Sequence, residues 1–210
     1  PILIDELLTR VRAGDDHAFV ELFAHYRTRL RQLLAFRMDR RLRGREDASD
    51  VLQEVYIDAH QRLHHYLKKP ELSFYVWLRQ LTTQRLIDIH RRPLMAEMRD
   101  VKQEVSINRL GAGATSASMA SLLAARLASP SQLVMQAEMI AQIEKSLEQM
   151  DPIDREVLAL RHFEELRNSE VAEVLGLKEA AASNRYVRAL TRLRDALEEV
   201  PGFFDGPESS

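Results

Sequence analysis

Hydrophobic residues recur at spacings of three and four along most of the chain, which is the period of an amphipathic α-helix. The clearest example begins after Gly14, where Asp15 or Asp16 can cap a long helix. Its apolar stripe consists of Phe19, Leu22, Phe23, Tyr26, Leu30, Leu33 and Leu34. No window alternates apolar and polar residues in the manner of a half-buried strand. The pattern therefore predicts an all-α protein.

The same periodicity predicts four helices in the N-terminal part of the chain. Besides the long helix, they are a short one from Ile2 to Arg12, a third from about Asp47 to Tyr66, and a fourth that Ser73 caps. The fourth helix should end near Arg92, because the residue before a proline avoids helical angles.

A change of composition separates this part from a second one. Residues 95–130 contain no aromatic side chain and include a small, polar run at 111–118, which predicts a flexible linker. The piece from Met119 to Ala128 could still form a helix that docks. Further helices start at Ser129-Pro130 and at Asp151-Pro152, where proline takes the first helical position. The predicted boundaries are a first domain at 1–94, a linker at 95–130, a second domain at 131–200 and a tail at 201–210.

The segment from Asn168 to Leu190 has the spacing of a helix-turn-helix. Its short first helix ends at Gly176, which suits the left-handed conformation of a tight reversal, and Leu177 would fill the turn. The second helix opens with small and polar residues that can enter a major groove. We predict base-edge contacts from Ser183, Asn184 and Arg185, and phosphate contacts from Arg188 and Arg192. A plain helical hairpin is the alternative.

The distribution of charge matters more than the formal net charge of −2. Residues 1–94 hold 17 Lys and Arg against 13 Asp and Glu, whereas residues 137–200 hold 9 against 14. Within the acidic part, however, the stretch from Lys178 to Arg194 carries five basic residues and one acid. Because local charge sets the field that a phosphate backbone meets, the overall value does not exclude nucleic acid.

The predicted helix 74–92 interleaves aromatic and basic residues. Its apolar stripe accounts for Phe74, Leu78 and Leu81. Off that stripe, close to the single tryptophan, Trp77, lie Arg79, Gln80, Thr83, Gln84, Arg91 and Arg92. Bases can stack on rings while arginines follow the backbone, so this combination favours single-stranded DNA. A solvated face beside a buried Trp is the alternative.

The sequence contains no group of residues whose types and spacing suit catalysis or metal binding. It contains no cysteine, which excludes thiolate metal sites and Cys nucleophiles, and it has no phosphate-binding loop or nucleophile elbow. His60 and His64 lie four apart, as zinc ligands can, but a third ligand is missing. We therefore expect no enzyme activity, no metal and no cofactor.

The sequence also contains no membrane or export signal. No stretch approaches 18 uninterrupted apolar residues, and Asp5 and Glu6 stand where a signal peptide would need a basic start. We expect a cytoplasmic protein without membrane contact.

Six short motifs occur in the order found in one protein family. They are Asp50-Val51-Leu52-Gln53-Glu54-Val55-Tyr56, Phe74-x-x-Trp77-Leu78-x-x-Leu81, Asp88-x-x-Arg91-Arg92, Asp151-Pro152-x-Asp154-Arg155-Glu156-Val157-Leu158-x-Leu160-Arg161, Glu170-Val171-Ala172-x-x-Leu175-Gly176 and Ser183-Asn184-Arg185. Over about residues 15–93 and 135–198 the chain resembles the bacterial extracytoplasmic-function (ECF) sigma factors. The stretch 151–164 is similar to sigma factors of planctomycete type.

The resemblance implies two small helical domains, a sigma region two bundle and a sigma region four helix-turn-helix, joined by the linker. It also implies that Asp50, Gln53 and Glu54 bind the basic clamp helices of the β′ subunit of core RNA polymerase. The loop from His65 to Ser73 would capture a base flipped out of the minus-ten element. The implied minus-ten contacts are Tyr66, Lys68, Lys69, Trp77, Arg79, Gln80, Thr83, Gln84, Arg91 and Arg92. The implied minus-thirty-five contacts are Lys178, Ser183, Asn184, Arg185, Arg188 and Arg192.

The resemblance further implies as partners the β flap of the polymerase, promoter DNA and an anti-sigma factor, if one exists. Gln84 stands where the family often has Asn, and Ala181-Ala182 where Thr-Val is common, so the promoter sequence does not transfer. Two other functions stay open on the sequence. One is a helix-turn-helix regulator that acts without polymerase, and the other is a helical protein-binding adaptor.

Overall fold

A computed structural model describes residues 4–38, 47–97, 116–125 and 133–199, and within these ranges the side chains of 92–97 and 133–136 are not described. The chain divides into two compact units, Pro1–Glu104 and Val105–Ser210. Regular structure in the described residues is helical throughout, without a strand, so the predicted all-α class is confirmed.

Four helices make up the described part of the first unit. They are α1 (Ile4–Arg12), α2 (Asp16–Arg37), α3 (Ala48–Lys68) and α4 (Phe74–Glu97). Between α1 and α2 the chain reverses at Gly14, which has a positive φ of 88°. Asp15 then caps α2 through its side chain, which accepts from the Ala18 amide at 3.2 Å, and its other oxygen lies 2.7 Å from Arg10. The predicted cap is therefore confirmed, and it is Asp15.

The core of the first unit is built around aromatic rings. Phe19 is fully buried on α2, and its ring centroid lies 5.3 Å from that of Tyr56 on α3 and 6.5 Å from that of Phe74 on α4. All seven residues of the predicted α2 stripe are buried. The aromatic cluster thereby joins α2, α3 and α4 in one core.

Two helices of this unit extend further than predicted, and both predicted ends lie near a proline. α3 reaches Lys68 because Pro70 constrains only Lys69, which leaves the helix with φ −146° and ψ 79°. The predicted end of α4 at Arg92 is wrong, since the helix continues through Pro93 to Glu97. A proline inside a helix removes one backbone hydrogen bond, and here the turns on either side are retained.

In the described part of the second unit, a helix at 116–125 (α5) is followed by four more helices and one π-helical turn. The later elements are α6 (Leu133–Gln149), α7 (Pro152–Leu158), the π-helical turn (Ala159–Phe163), α8 (Asn168–Leu175) and α9 (Glu179–Glu198). Asp151 caps α7 through its Oδ1, which accepts from the Ile153 amide at 2.9 Å, and Pro152 takes the first helical position as predicted. The predicted helix start at Ser129-Pro130 lies outside the described residues.

Helix α5 falls inside the predicted linker. Met119, Ala120 and Ala124 are buried, and Arg155 donates from Nη1 to Ser116 Oγ at 3.4 Å. The same nitrogen donates to the carbonyl of Leu147 at 3.1 Å, at the end of α6. The option of a docked helix within the linker is therefore confirmed for residues 116–125.

The turn between α8 and α9 depends on Gly176. Its φ of +63° is left-handed, and a Cβ placed there would meet no atom within 4 Å. Gly176→Ala should therefore cost about 1 kcal/mol of the second unit's stability from backbone strain alone. Loss of amide-exchange protection in α9 would measure this cost. Gly176→Asn should lose less, since Asn tolerates this conformation, and equal protection in all three proteins would contradict the assignment.

Candidate functional site

The first turns of α3 present a polar face to solvent. Asp50, Gln53 and Glu54 are exposed, whereas Val51 and Val55 are buried on the opposite side of the helix. Asp47 caps this helix through its Oδ1, which accepts from the Ser49 amide at 2.9 Å. The three residues singled out in the sequence are thus accessible together at one end of α3.

A shallow groove separates α3 from α4 beside this face. Glu54 forms an ion pair with Arg85 of α4 across it, and Ile57 is 48% exposed in its wall. Asp58 and Asp88 line it further along. Sequence reasoning did not single out Ile57 or Arg85, although an isoleucine off the apolar stripe of α3 was a visible signal.

A ring in the last turn of α3 stacks on a ring in the first turn of α4. The centroids of Tyr66 and Trp77 lie 4.4 Å apart with the planes 20° from parallel. The Tyr66 hydroxyl donates to the carbonyl of Leu72 at 2.9 Å, and Phe74 packs against both rings. Tyr66 therefore links the end of α3 to the connecting loop and to the first turn of α4.

The connecting loop is shorter than predicted. His65 to Lys68 belong to the last turn of α3, so the predicted start of the loop at His65 is wrong and the loop spans 69–73. Lys68 and Lys69 are exposed, and Lys69 Nζ lies 2.7 Å from Glu71 Oε1. This pairing raises the pKa of Lys69 and lowers the pKa of Glu71.

Helix α4 exposes only part of its predicted polar face. Gln80, Gln84 and Arg91 are exposed, and Gln84 donates to Asp88 at 3.2 Å. Thr83 is half-buried. Arg79 is only 7% exposed, so its predicted place off the apolar face is wrong. The side chain of Arg92 lies outside the described residues.

The helix-turn-helix has the predicted geometry. The Leu177 amide donates to the carbonyl of Ala172 at 2.8 Å across the left-handed Gly176. Asn168 Nδ2 donates to the carbonyl of Glu179 at 3.0 Å, which ties the start of α8 to the start of α9. The angle between the two helices is thus held by bonds on both sides of the turn.

Most of the predicted DNA contacts on α9 are accessible. Ser183, Asn184 and Arg192 are exposed, as is Lys178 at the N-cap position, and the side chain of Arg188 is 60% exposed. Arg185 differs from them, because its side chain is only 24% exposed.

Arg185 is held by two carboxylates of α7. Its Nη1 lies 2.7 Å from Asp154 Oδ1 and 3.3 Å from Asp151 Oδ1. Hydrogen bonding to Asp154 raises the pKa of Arg185. The Ile153 amide, followed by the charge of Arg185, lowers the pKa of Asp151. Sequence reasoning missed this pairing. Its only signal was that two aspartates and two arginines each stand three residues apart.

The histidine pair His60 and His64, whose spacing could suit zinc, is not part of a metal-binding group in the described residues. His60 lies 3.7 Å from Asp16, and in the segments that the structure describes no three His, Cys, Asp or Glu residues are grouped as a metal site requires. No described helix has the length and apolar character needed to cross a bilayer.

Comparison with known families places two matches along the chain. Residues 22–93 match the family described as sigma-70 region 2, and residues 140–193 match the family described as sigma-70, region 4. The first match runs from within α2 through α3 to within α4, and the second runs from within α6 through α7 and α8 to within α9. The candidate residues of both units fall within these two matches.

Curated relatives match over nearly the whole chain. The chain is 24% identical to the ECF RNA polymerase sigma factor SigW of Bacillus subtilis, over 95% of its own length and 99% of that protein. It is 26% identical to the RNA polymerase sigma-H factor of Pseudomonas aeruginosa, over 93% of its length and 94% of that protein.

A solved structure shares the fold. The structure of CnrH in complex with the cytosolic domain of CnrY matches with a TM-score of 0.50 and 23% sequence identity. The match covers 91% of this chain and 95% of that one.

Proposed function

The chain belongs to the extracytoplasmic-function class of the sigma-70 family, and from this premise we propose how its two helical units divide promoter recognition. Members of this class bind core RNA polymerase and start transcription, so the main function predicted from the sequence is confirmed. One observation carries the proposal: the region 2 and region 4 matches fall in order on two separate compact units.

We propose that α9 reads the minus-thirty-five element in the major groove. Exposed Ser183 and Asn184 lie where a recognition helix enters the groove, with Arg185 next to them. Arg188 and Arg192 continue the same basic strip and would hold phosphates, together with Lys178.

The first unit would bind and open the minus-ten element. The stacked pair of Tyr66 and Trp77 lies beside the exposed Lys68 and Lys69, and α4 continues the surface with Gln80, Gln84 and Arg91. Rings that accept a base and cations that follow a backbone support binding of an opened strand. Thr83, which is half-buried, and Arg92, whose side chain lies outside the described residues, complete the proposed set. Arg79 is too buried to reach DNA in this conformation.

The polymerase would be bound through α3. Asp50, Gln53 and Glu54 offer two carboxylates and an amide to the basic clamp helices of β′, and the β flap would be contacted by the second unit. Each DNA module is small, so useful affinity would come from presenting both on one polymerase, which raises their effective concentration on one promoter.

The proposal also covers the domain boundaries, the place of action, an inhibitor and the rival functions. The domain boundaries stay at 1–94, 95–130, 131–200 and 201–210, and the protein would work in the cytoplasm, where the template is, without catalysing a reaction itself. An anti-sigma factor, if one exists, would cover the polymerase-binding face of α3. A regulator that acts without polymerase, or an adaptor, would not need both sigma regions on one chain.

Asp50→Ala tests the polymerase-binding face. We expect the affinity for core polymerase to fall about tenfold, since truncation of a central interface residue commonly costs this much, with a matching loss of promoter-dependent transcription in a reconstituted reaction. Asp50 is preferable to Glu54, which already pairs with Arg85.

Asp16→Ala is the matched control. Asp16 is likewise an exposed acid in the first turn of a helix of the same unit, so helix stability should change equally in both variants. Equal polymerase affinity of the two variants would reject the assigned face. No affinity of the wild-type chain for core polymerase would reject the function.

A further inference from the structure

Two guanidinium groups and two carboxylates tie α9 to α7. Asp154 Oδ1 lies 2.7 Å from Arg185 Nη1 and 3.3 Å from Arg188 Nη2. Asp151 Oδ1 lies 3.3 Å from the same nitrogen of Arg185. We call these four residues the Asp–Arg cluster. Its two negative and two positive charges cancel.

The members of the Asp–Arg cluster are buried to different depths. The side chain of Asp154 is 4% exposed, that of Arg185 is 24% exposed and that of Arg188 is 60% exposed. A buried carboxylate that loses its cation is strongly destabilising, so Asp154 has to keep a partner. Arg185 has the shorter contact and the deeper position, and it is therefore the anchored arginine of the two.

Anchoring one nitrogen of a guanidinium fixes the direction in which its other N–H groups point. Both carboxylate contacts of Arg185 use Nη1, and the group is a rigid planar fork. The edge formed by Nε and Nη2 can bond bidentately to O6 and N7 of a guanine. Held in this way, Arg185 can present that edge to a base but cannot swing freely toward a phosphate.

We infer that Asp154 is a positioning residue for sequence reading, which fixes Arg185 for a base edge and withholds it from the phosphate backbone. The inference rests on the proposed function, which places α9 in the major groove of the upstream element. Asp154 itself does not touch DNA. It sets how strongly the holoenzyme discriminates between upstream sequences.

Asp154→Asn tests this role in the full-length protein assembled with core polymerase. The probe is a duplex library randomised over the upstream element, with bound sequences counted at several salt concentrations. We expect base preference to fall about tenfold at one or two positions. The salt dependence of binding should steepen by up to about one released counterion, because a freed guanidinium engages a phosphate. A purely structural role of Asp154 would not steepen the salt dependence.

Asp195→Asn is the matched control. It makes the same substitution on α9, where Asp195 is an exposed partner of Arg194 at 3.1 Å. We expect wild-type base preference and salt dependence, since an exposed pair of this kind contributes little.

Arg185→Ala separates this inference from the proposed function. It should lose preference at the same base positions, and adding Asp154→Asn to it should change preference no further. Wild-type preference in Asp154→Asn, with a loss in Arg185→Ala, would overturn the inference alone. Wild-type preference in Arg185→Ala would instead reject the base-reading role assigned to Arg185.

If Asp154→Asn does not fold, Asp151→Asn tests the inference instead. Asn caps a helix as well as Asp does, so α7 should keep its start while Arg185 loses a charged partner. We expect base preference to fall about threefold. Wild-type base preference in this variant would overturn the inference.

Discussion

Phe19→Ala is expected to lower the free energy of unfolding of the first unit by about 3–5 kcal/mol. Phe19 is fully buried, and its ring lies within 6.5 Å of the rings of Phe23, Tyr56 and Phe74. Truncation removes the buried ring and leaves a cavity between three helices that cannot all close on it. Trp77 is the only tryptophan and lies in this unit, so urea unfolding followed by its fluorescence measures the loss.

Val20→Ala is the control for this prediction. Val20 is the next residue on α2 and is 48% exposed, so its truncation should change stability by less than about 0.5 kcal/mol. Similar losses in the two variants would mean that the aromatic cluster does not hold α2, α3 and α4 together.

Trp77→Ala is expected to slow promoter opening by the holoenzyme about tenfold or more. In the proposed function the indole, stacked 4.4 Å from Tyr66, offers its ring to a base of the opening strand. Replacement of a stacking ring by alanine removes that contribution from the melted complex while leaving the duplex contacts of α9 in place. Stopped-flow measurement of open-complex formation on a duplex promoter gives the rate.

Tyr66→Phe distinguishes ring stacking from loop anchoring. It keeps the stacked ring and removes the hydroxyl that donates to the carbonyl of Leu72. We expect it to open promoters at close to the wild-type rate. Opening by Trp77→Ala at the wild-type rate, with the fold intact by circular dichroism, would exclude Trp77 from strand binding. An equal defect in Tyr66→Phe would assign the effect to the loop.

The helices themselves could be predicted well from periodicity and capping. Asp15 and Asp151 cap helices where the sequence places them, because a carboxylate before an apolar run satisfies amides that the helix leaves unpaired. Asp47, predicted as the approximate first residue of the third helix, is its cap. Helix ends near prolines were predicted less well. Pro93 lies within α4, and whether a helix stops at a proline depends on what the following turn packs against, which the sequence does not specify.

The candidate site was predictable as a set of exposed polar positions, but its internal pairing was not. Asp50 and Asn184 are exposed as their helical phase predicts. Arg79 shows the limit, since helical phase alone placed a buried side chain on the polar face. The bond from Arg185 to Asp154 joins residues 31 apart and depends on how α9 crosses α7, which no local pattern encodes. The resemblance of residues 151–164 to planctomycete-type sequences stays a prediction.

The π-helical turn at Ala159–Phe163 adds one residue to what would otherwise be a regular helical repeat. In an α-helix one residue corresponds to about 100° of rotation about the axis. The turn ends the helix that α7 begins, so this rotation sets the direction in which the chain leaves toward residues 164–167 and α8. Loss of one residue here would shift the start of α8 about the axis of α7, whereas the contacts of Asp151 and Asp154 with α9 precede the turn and would keep their place.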